Sequence, residues 1–369
     1  MTLVYTLITI LVFILLLCIF ITISEHFLGL RGEAEVCINS ENKLKSKRGT
    51  KLLQVLAENN IFLPAACGSK GSCGRCKVKV LSGGGYLTSL EKALLSENEL
   101  KDNFRLACQV KLREDIDLNI PQELLNVRGF KAKLIEKDNL AFGIKKLCFK
   151  LENGEKIDFK PGQYVQIIRD LPRENVIRAY SFSSSPKVKD EFTLDVQLVE
   201  GGLMSTYLHS LELGSVINFC GAFGDMFVDL DKHNYNNILL IAGGVGLAPM
   251  RSIINYLKEN SFKGNVVLFH GVRSKKYLYC ENEYKKLQKE YENFKYYPVL
   301  SEPALEDGWI GKTGLVTEIF SEYLNETELS SDSIEAYLCG PSKMMEAAEK
   351  LLLEKGIEKK SIHSDPFSF

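Results

Sequence analysis

Four cysteines constrain this chain more than any other feature of its sequence: Cys67, Cys73, Cys76 and Cys108. The first three stand within ten residues, and 31 residues separate the third from the fourth. Three thiolates on so short a loop can grip one centre only if the backbone folds closely around it. The loop also contains three glycines, which allow this because a residue without a Cβ can take a positive φ. The spacing therefore predicts a metal centre, whereas ten cysteines in 369 residues are too few for a disulfide scaffold.

A 2Fe–2S cluster is the metal centre that the spacing favours. The C-x5-C-x2-C pattern resembles the plant-type C-x4-C-x2-C pattern, with a first gap that is one residue longer. A four-cysteine zinc site would normally use two C-x2–4-C pairs, and here the second pair is missing. Buried structural thiols are a further alternative, but they do not explain three cysteines crowded beside three glycines. The cysteines that stand singly are predicted to be small core or surface residues: Cys37, Cys148, Cys220 and Cys280.

The chain begins with a long apolar run. Thr2–Ser24 has 23 residues and no charge, and a helix of that length reaches roughly 34 Å, enough to cross a hydrocarbon core of about 30 Å. A cleaved signal peptide would have a basic start, a shorter apolar stretch and small residues at a cleavage site, and the run has none of these. We therefore predict a retained transmembrane helix in the cell (inner) membrane. The positive-inside rule places the rest of the chain in the cytoplasm, because the following cations are Arg31, Lys43, Lys45, Lys47 and Arg48.

Charge and length limit the function classes and the number of domains. Lys and Arg number 46 and Asp and Glu 47, leaving a net charge of −1, so no global basic field indicates a nucleic-acid partner. A length of 369 residues predicts two to three domains at about 150 residues each. The predicted divisions are a transmembrane helix at 1–24, a linker at 25–33, a cluster domain at 34–125, a strand-rich domain at 126–232 and a nucleotide-binding domain at 233–369.

The last two domains differ in the spacing of their apolar residues. Strand-like runs separated by turns at Asn153-Gly154 and Pro161-Gly162 predict a small antiparallel β-barrel for residues 126–232. From Asn236 onward, short apolar runs alternate with helical stretches, which is typical of βαβ units on a parallel sheet. We therefore expect a Rossmann-like α/β fold for the C-terminal domain.

A motif at the end of a predicted barrel strand has the side chains that a flavin needs. Within Arg178–Ser184, Tyr180 offers an aromatic face, Arg178 a cation for the pyrophosphate and Ser181 a hydroxyl for the flavin N5 position. Ser184 is a further candidate, and an ordinary strand with an incidental Arg and Tyr is the alternative reading. About twenty residues later the sequence predicts a helix N-terminus that would bind the pyrophosphate through Gly202, Leu203, Met204 and Ser205.

A glycine-rich loop follows the first buried strand of the C-terminal domain. Strand, loop and helix in this order predict a site where the backbone approaches the pyrophosphate of a nicotinamide nucleotide. The glycines of an ordinary turn are the alternative. The candidate residues are Gly243, Gly244, Gly246 and Pro249. The end of a later strand predicts three residues beside the nicotinamide, which are Cys339, Gly340 and Pro341. An ordinary small residue at a strand end is the alternative for Cys339.

Together these motifs resemble one family over nearly the full length of the chain, the NADH-oxidising F subunits of the sodium-translocating NADH:quinone reductases. The shared stretches are the cysteine spacing, Arg178–Ser181, Gly221–Gly224, Gly243–Ser252, Gly271–Lys276, Leu300–Pro303 and Cys339–Pro341. The resemblance implies an α+β ferredoxin-like (β-grasp) domain followed by FAD and NAD domains of the ferredoxin–NADP reductase type. It also implies an aromatic residue near the flavin in the C-terminal tail, for which Phe367 and Phe369 both qualify.

The resemblance implies an NADH-oxidising enzyme subunit of a respiratory pump. Its cofactors would be FAD, a 2Fe–2S cluster and NADH, and its partners the bilayer and the membrane redox subunits that take its electrons. The cofactors would carry the chemistry, with Ser181 near the flavin and Cys339 near the nicotinamide. The alternatives are the reductase component of an oxygenase and a non-enzymatic electron carrier. A basic stretch would suit the 2′-phosphate of NADPH, although the resemblance implies NADH; it consists of Arg273, Ser274, Lys275 and Lys276.

Overall fold

The structure, a computed structural model, describes residues 2–28, 32–171, 175–231, 236–327 and 333–367. The chain divides into two compact units. The first contains Met1–Val55 and Lys77–Ile120, and the second contains Leu56–Cys76 and Pro121–Phe369. Three sequence expectations fall outside the described residues: the cation Arg31, the domain boundary between residues 232 and 233, and the role of Phe369 beside a flavin.

The N-terminal segment forms helix α1 (Thr2–Leu28). Within the described ranges, no helix combines the length and the apolar character that crossing a bilayer requires. The predicted transmembrane helix at 1–24 is therefore not supported by the structure.

The first unit has an α+β arrangement, as predicted. Its strands are β1 (Glu33–Ile38), β2 (Asn42–Lys47), β3 (Lys77–Ser82), β4 (Phe104–Leu106) and β5 (Ile116–Asn119), and its further helices are α2 (Leu52–Glu58, which ends in the second unit), α3 (Ser89–Leu94) and α4 (Glu97–Lys101). The strands form a mixed sheet in the order β2-β1-β5-β3-β4. Alternate residues of β1 are buried, because successive side chains of a strand point to opposite faces of the sheet.

The second unit begins with an antiparallel sheet. Its elements are α5 (Gln122–Leu125), β6 (Gly129–Ala141), β7 (Ile144–Leu151), β8 (Tyr164–Asp170), β9 (Asn175–Ser181), β10 (Glu191–Gln197), α6 (Leu203–Ser210) and β11 (Val216–Phe223). The six strands pair in the order β10-β7-β6-β11-β8-β9. Apolar side chains of all six strands pack into one core on this sheet.

The prediction of a closed β-barrel for this region is wrong. The sheet has two edges, β10 and β9, and among the described residues a single bridge between Phe182 and Leu194 joins them. β9 ends at Ser181, after which the chain bends and then turns at Pro186. Beside the bridge the Ser183 N–H donates to the Thr193 carbonyl at 2.9 Å. Because the chain then turns at Pro186, this pairing does not extend into a ladder between β9 and β10 among the described residues.

A parallel α/β layer completes the second unit, as predicted. Its strands are β12 (Asn237–Gly243), β13 (Asn265–Val272), β14 (Phe294–Leu300), β15 (Lys312–Thr313), β16 (Ile334–Pro341) and β17 (Ile362–Phe367), and its helices are α7 (Leu247–Glu259), α8 (Glu281–Glu290), α9 (Val316–Glu326) and α10 (Ser342–Glu354). The strand order is β15-β14-β13-β12-β16-β17. Every residue of β12 is buried, as expected for a strand whose sheet is covered on both faces.

One buried ion pair joins the antiparallel sheet to the parallel layer. Arg251 on α7 donates through Nη1 to both carboxylate oxygens of Asp195 on β10, at 2.9 and 2.8 Å. Asp195 also accepts a hydrogen bond from the Ser183 hydroxyl at 2.9 Å. Burial opposes the charge of Arg251, but Asp195 outweighs it and raises the pKa of the guanidinium. The pair thus fixes α7 against β10. Residues of the candidate site lie close to both Arg251 and Asp195 in the chain.

Candidate functional site

Three of the four predicted cluster cysteines lie on one loop of the second unit, residues 65–76, which we call the thiolate loop. Cys67 and Cys76 are buried, and Cys73 is half-buried. Four residues between them take positive φ angles: Gly68 at 59°, Ser69 at 69°, Gly71 at 76° and Gly74 at 64°. Three of these are glycines, for which such angles carry no steric penalty. The local turn chemistry of the sequence therefore accounts for the tight folding of this loop.

Hydrogen bonds inside the thiolate loop favour the ionised form of Cys67. The Cys73 thiol donates to the Cys67 sulfur, and the backbone N–H groups of Ser72, Cys73 and Gly71 donate to it as well. Together they outweigh burial and lower the pKa of Cys67. The same hydrogen bond and burial raise the pKa of Cys73, which keeps its proton. Backbone N–H groups directed at a thiolate sulfur are typical of iron–sulfur sites, so the surroundings of Cys67 agree with the predicted centre.

The fourth predicted ligand, Cys108, lies in the first unit, two residues after β4. It is buried, and the Gln109 side-chain amide donates to its sulfur at 3.4 Å. Among the residues that the structure describes, no three His, Cys, Asp or Glu side chains are close enough together to hold a metal ion. The assignment of all four cysteines to one cluster stays a prediction.

Two strands of the antiparallel sheet hold the first half of the thiolate loop. The buried Gln166 side chain on β8 accepts from the Ala65 N–H and donates to the Leu63 carbonyl, both at 2.9 Å. Arg178 on β9 donates through Nη1 to the Gly68 carbonyl at 3.3 Å. A Cβ at Gly68 would lie 2.1 Å from that nitrogen, so this contact requires glycine. The sheet thus positions the loop through side chains that the loop itself does not contain.

A cavity of about 470 Å³ lies beside the thiolate loop, and we call it the flavin cavity. Its volume is within the range of about 300–1,000 Å³ that small-molecule sites occupy. The predicted flavin residues that line it are Arg178, Tyr180, Ser181, Gly202, Leu203, Met204, Ser205 and Phe367. These residues come from β9, the N-terminal half of α6 and the end of β17, so the fold brings together three segments that are distant in sequence.

Ser184 is the one predicted flavin residue that does not line this cavity. Its hydroxyl accepts a hydrogen bond from the Thr193 N–H at 3.0 Å, and its carbonyl accepts one from the Ser252 hydroxyl at 2.6 Å. Ser184 therefore connects β10 with α7. The sequence motif does not distinguish this structural position from the flavin-facing positions before it.

The N-terminus of α6 borders the flavin cavity. Its N-cap is Gly202, which has no side chain that could accept a hydrogen bond from the first turn. Uncapped N–H groups at the positive end of the helix dipole favour an anion. A Cβ at Gly202 would lie 2.7 Å from the Ser205 hydroxyl and 3.0 Å from the Val199 carbonyl oxygen, so the close turn needs glycine. Together with the aromatic Tyr180, this end of the cavity fits a flavin dinucleotide.

The sequence did not point to five polar residues of the flavin cavity: Lys70, Asp195, Gln197, Glu200 and Asp365. Asp195 had a signal, because it is a charged residue among apolar ones in a strand whose neighbours are buried. Asp365 stands two residues before Phe367, in the tail where the resemblance implies an aromatic residue near the flavin. Burial raises the pKa of the Asp365 carboxyl to about 6, although Arg75 acts in the opposite direction. Lys70 belongs to the thiolate loop, so this loop forms part of the cavity wall.

A second cavity, of about 560 Å³, lies at the carboxyl ends of the parallel strands, and we call it the nucleotide cavity. The predicted residues that line it are Gly243, Gly244 and Pro341, together with Arg273 of the basic stretch. Ser301, from the shared stretch Leu300–Pro303, lines it too, whereas the sequence did not indicate Tyr277, Thr317 and Lys343. Gln197 lines both cavities, so the two are neighbours. Ligands commonly bind at this edge of an open α/β sheet.

Four predicted nucleotide residues lie outside the lining of this cavity. A Cβ at Gly246 would be 2.1 Å from the Cys339 carbonyl oxygen, and one at Gly340 would be 3.0 Å from the Gly243 backbone. These two glycines therefore allow the loop to pack on the end of β16. Pro249 is buried in the first turn of α7. Cys339 is fully buried, which raises the pKa of its thiol, and it pairs in register with Ala242 and Asp365.

Three family descriptions match successive parts of the chain. The 2Fe-2S iron-sulfur cluster binding domain matches residues 38–113, the oxidoreductase FAD-binding domain residues 131–227, and the oxidoreductase NAD-binding domain residues 240–350. Each match lies within one of the domains expected from the sequence. The matches agree with three cofactor-binding modules in this order.

Curated relatives match over almost the whole chain, and they include three F subunits of a Na(+)-translocating NADH-quinone reductase. The protein of Marinomonas sp. (strain MWYL1) is 34% identical over 91% of this chain and 91% of its own length. The protein of Haemophilus ducreyi is 34% identical over 96% of both chains. The protein of Neisseria meningitidis serogroup B is 32% identical over 96% of this chain and 97% of its own length.

Solved structures share the fold. The Amycolatopsis cytochrome P450 reductase GcoB superposes with a TM-score of 0.70 and 26% identity, covering 90% of this chain and 98% of that one. The ferredoxin reductase in carbazole 1,9a-dioxygenase gives a TM-score of 0.68 at 23% identity, covering 91% and 99%.

Proposed function

Because the chain belongs to the family of F subunits of the Na(+)-translocating NADH-quinone reductases, we propose that it is the NADH-oxidising input subunit of such a complex. FAD takes two electrons from NADH as a hydride, and the 2Fe–2S cluster takes them onward one at a time. One observation supports this order more than any other. The flavin cavity shares Gln197 with the nucleotide cavity on one side and takes Ala66 and Lys70 from the thiolate loop on the other.

The residues around the flavin cavity would bind FAD through three kinds of contact. Tyr180 and Phe367 offer aromatic faces to the isoalloxazine ring. The buried Ser181 hydroxyl would donate to a ring nitrogen. The N–H groups at the start of α6 would hold the pyrophosphate. Burial raises the pKa of the Tyr180 phenol, so this side chain stays neutral and does not repel an electron-rich ring.

The residues around the nucleotide cavity would hold NADH at the edge of the parallel sheet. Gly243 and Gly244 let the backbone approach a pyrophosphate, and Lys343 and Arg273 supply positive charge beside it. Gln197 stands where the two cavities meet, so we assign it the positioning of the nicotinamide against the flavin. We assign Cys67, Cys73, Cys76 and Cys108 to the cluster.

Na(+) translocation, which the relatives' names state, takes place across a membrane, and we propose that Thr2–Ser24 attaches this chain to the bilayer. The proposal rests on the uncharged sequence and on the exposed apolar side chains of α1, such as Phe13 at 66% and Phe20 at 69%. Expression of the full chain and of a chain starting at residue 32, followed by fractionation, tests it. The full chain should sediment with membranes after a high-salt wash and the shortened chain should not; equal distribution of the two would contradict the proposal.

Reduction of the purified, cofactor-loaded protein tests the proposed order of electron transfer. Under anaerobic conditions NADH should bleach the flavin absorbance first, and an EPR signal of a reduced 2Fe–2S cluster should follow. Zinc instead of iron and labile sulfide would overturn the assignment. Co-purification through a tag on this chain then separates the two enzyme classes, because recovered multi-helix redox subunits support the input role and a recovered oxygenase supports a reductase like the GcoB fold neighbour.

A further inference from the structure

Arg75 lies in the thiolate loop between two predicted cluster cysteines, but its guanidinium contacts two segments outside the loop. Nη1 donates to the Asp225 carboxylate at 2.8 Å. Nη2 donates to the Ser364 carbonyl at 3.3 Å and lies 3.9 Å from the Asp365 carboxylate. One side chain therefore makes three polar contacts with residues that are about 150 and 289 positions away in sequence.

These contacts connect the thiolate loop with a wall of the flavin cavity. Ser364 and Asp365 belong to β17, and the next two residues of this strand, Pro366 and Phe367, line the cavity. Asp365 lines it too. Gln166 and Arg178 hold the first half of the thiolate loop, and Arg75 holds the second half.

The energetics favour a positioning role over a general contribution to stability. Asp225 is 93% exposed, and an exposed ion pair contributes little because water and salt screen it. Arg75 itself is only 25% exposed and Asp365 9%, so this side of the contact is shielded. A planar guanidinium reaches a carbonyl and a carboxylate at once, which the single ammonium of lysine does less well.

We propose that Arg75 is a positioning residue that holds the thiolate loop against β17, and so keeps the cluster in place relative to the flavin. The proposal rests on the proposed function, because it concerns the passage of electrons from FAD to the 2Fe–2S cluster. Arg75 acts through the loop and through β17. A small displacement of reacting groups costs up to about a hundredfold in rate. Loss of the Arg75 contacts should therefore slow electron transfer from FAD to the cluster and leave hydride transfer from NADH unchanged.

Stopped-flow reduction of the full-length, cofactor-loaded protein by NADH tests the proposal. Flavin bleaching reports hydride transfer, and the later change in cluster absorbance reports electron passage. In Arg75→Gln the flavin phase should keep its rate and the cluster phase should slow roughly tenfold or more. Arg75→Lys should recover part of the rate, because it keeps the charge but not the planar fork. Arg128→Gln is the matched control, since Arg128 also pairs with a carboxylate, Glu155, at 3.4 Å.

A measurement independent of turnover distinguishes positioning from a general loss of folding. Amide hydrogen exchange should speed up in residues 67–76 and 362–367 of Arg75→Gln and stay unchanged elsewhere. A cluster phase within twofold of the unaltered protein, an equal effect of Arg128→Gln, or an equal slowing of the flavin phase would each overturn the proposal. Failure of the unaltered protein to reduce its cluster with NADH would instead overturn the proposed function.

Discussion

Arg178 on β9 donates a hydrogen bond to the carbonyl of Gly68, with 3.3 Å between the two atoms. Gly68 directly follows Cys67 in the thiolate loop, and Arg178 lines the flavin cavity. A single side chain thus contacts both the predicted flavin site and the backbone beside a predicted cluster ligand. Substitutions at this contact should therefore affect both cofactors, whereas a substitution that touches one of the two sites should affect one cofactor alone.

Gly68→Ala should disturb both cofactors. Gly68 has a φ of 59°, and a Cβ there would lie 2.1 Å from Arg178 Nη1 and 2.7 Å from the Ile177 carbonyl oxygen. Backbone strain of this kind costs about 1–3 kcal/mol, and the collision adds to it by displacing the loop. We expect a lower melting temperature together with reduced iron and FAD content in the purified protein.

Gly154→Ala is the matched control for this substitution. Gly154 has a φ of 69°, but a Cβ there would meet nothing within 4 Å. It should reproduce the backbone strain and leave both cofactors in place. Equal cofactor loss in the two variants would show that the contact with Arg178 is unimportant.

Cys73→Ala should remove the cluster and spare the flavin. Cys73 is hydrogen-bonded to Cys67 within the thiolate loop, whereas neither residue lines the flavin cavity. Iron, labile sulfide and the visible absorbance of the cluster should be lost, and NADH should still bleach the flavin and reduce ferricyanide. Cys37→Ala, at a half-buried cysteine of β1, should keep its iron. Loss of flavin reduction in Cys73→Ala would refute the separation of the two sites.

Arg251→Ala should destabilise the second unit strongly. The substitution leaves the Asp195 carboxylate, which is fully buried, without its main partner. Breaking a buried ion pair on one side costs about 3–5 kcal/mol, which thermal or urea unfolding would measure. Lys350→Ala removes an exposed pair with Glu354 and should change stability by less than about 0.5 kcal/mol. Similar losses in the two variants would contradict the importance of the α7–β10 contact.

Asp365→Asn should stabilise the flavin-free protein at neutral pH. Burial raises the pKa of Asp365 from an ordinary 3.8 to about 6 in the folded state, so the folded protein binds a proton more tightly than the unfolded chain. Folding stability therefore falls as pH rises from about 4 to about 6, and it remains lower above that pH. A shift of about two units corresponds to roughly 3 kcal/mol.

The comparison of the two proteins across pH isolates this carboxyl from all others. The difference in the free energy of unfolding should be near zero at pH 4, grow towards pH 6 and level off above it. Ser361→Ala, at a residue of the same C-terminal segment whose hydroxyl contacts Glu335, should show no such pH-dependent difference. A difference that is constant with pH would contradict the raised pKa.

Glu302→Gln should improve the use of NADPH. Arg273 lines the nucleotide cavity, and its Nε lies 3.7 Å from the Glu302 carboxylate, with both side chains largely exposed. Removing the carboxylate frees the positive charge of Arg273 for a 2′-phosphate. An exposed pair contributes up to about 1 kcal/mol, so kcat/KM for NADPH should rise by at most about fivefold while that for NADH stays the same. A rise with both nucleotides would assign a different role to Glu302.

The local chemistry of this protein could be predicted from its sequence. Glycines between cysteines predict a tightly folded loop because only they take positive φ without strain, and the structure has such a loop at residues 65–76. The change from antiparallel strands to βαβ units could also be predicted, because strands and helices place their apolar residues at different spacings. The 2Fe–2S, FAD and NAD modules were predicted in the order in which the family descriptions match.

Only the tertiary structure showed which residues line the same cavity. Ser184 belongs to the flavin motif but bonds to Thr193 and Ser252 instead, while Asp195, Gln197 and Asp365 enter the flavin cavity from segments that carry no motif. β9 and β10 remain the two edges of the antiparallel sheet, and among the described residues a single bridge after Ser181 joins them. The contacts of Arg75 with Asp225 and Ser364 were equally hidden. The spacing of apolar residues along one helix or strand indicates its type and its buried face. Contacts between distant segments depend on how several such elements pack together, which the pattern of a single element does not show.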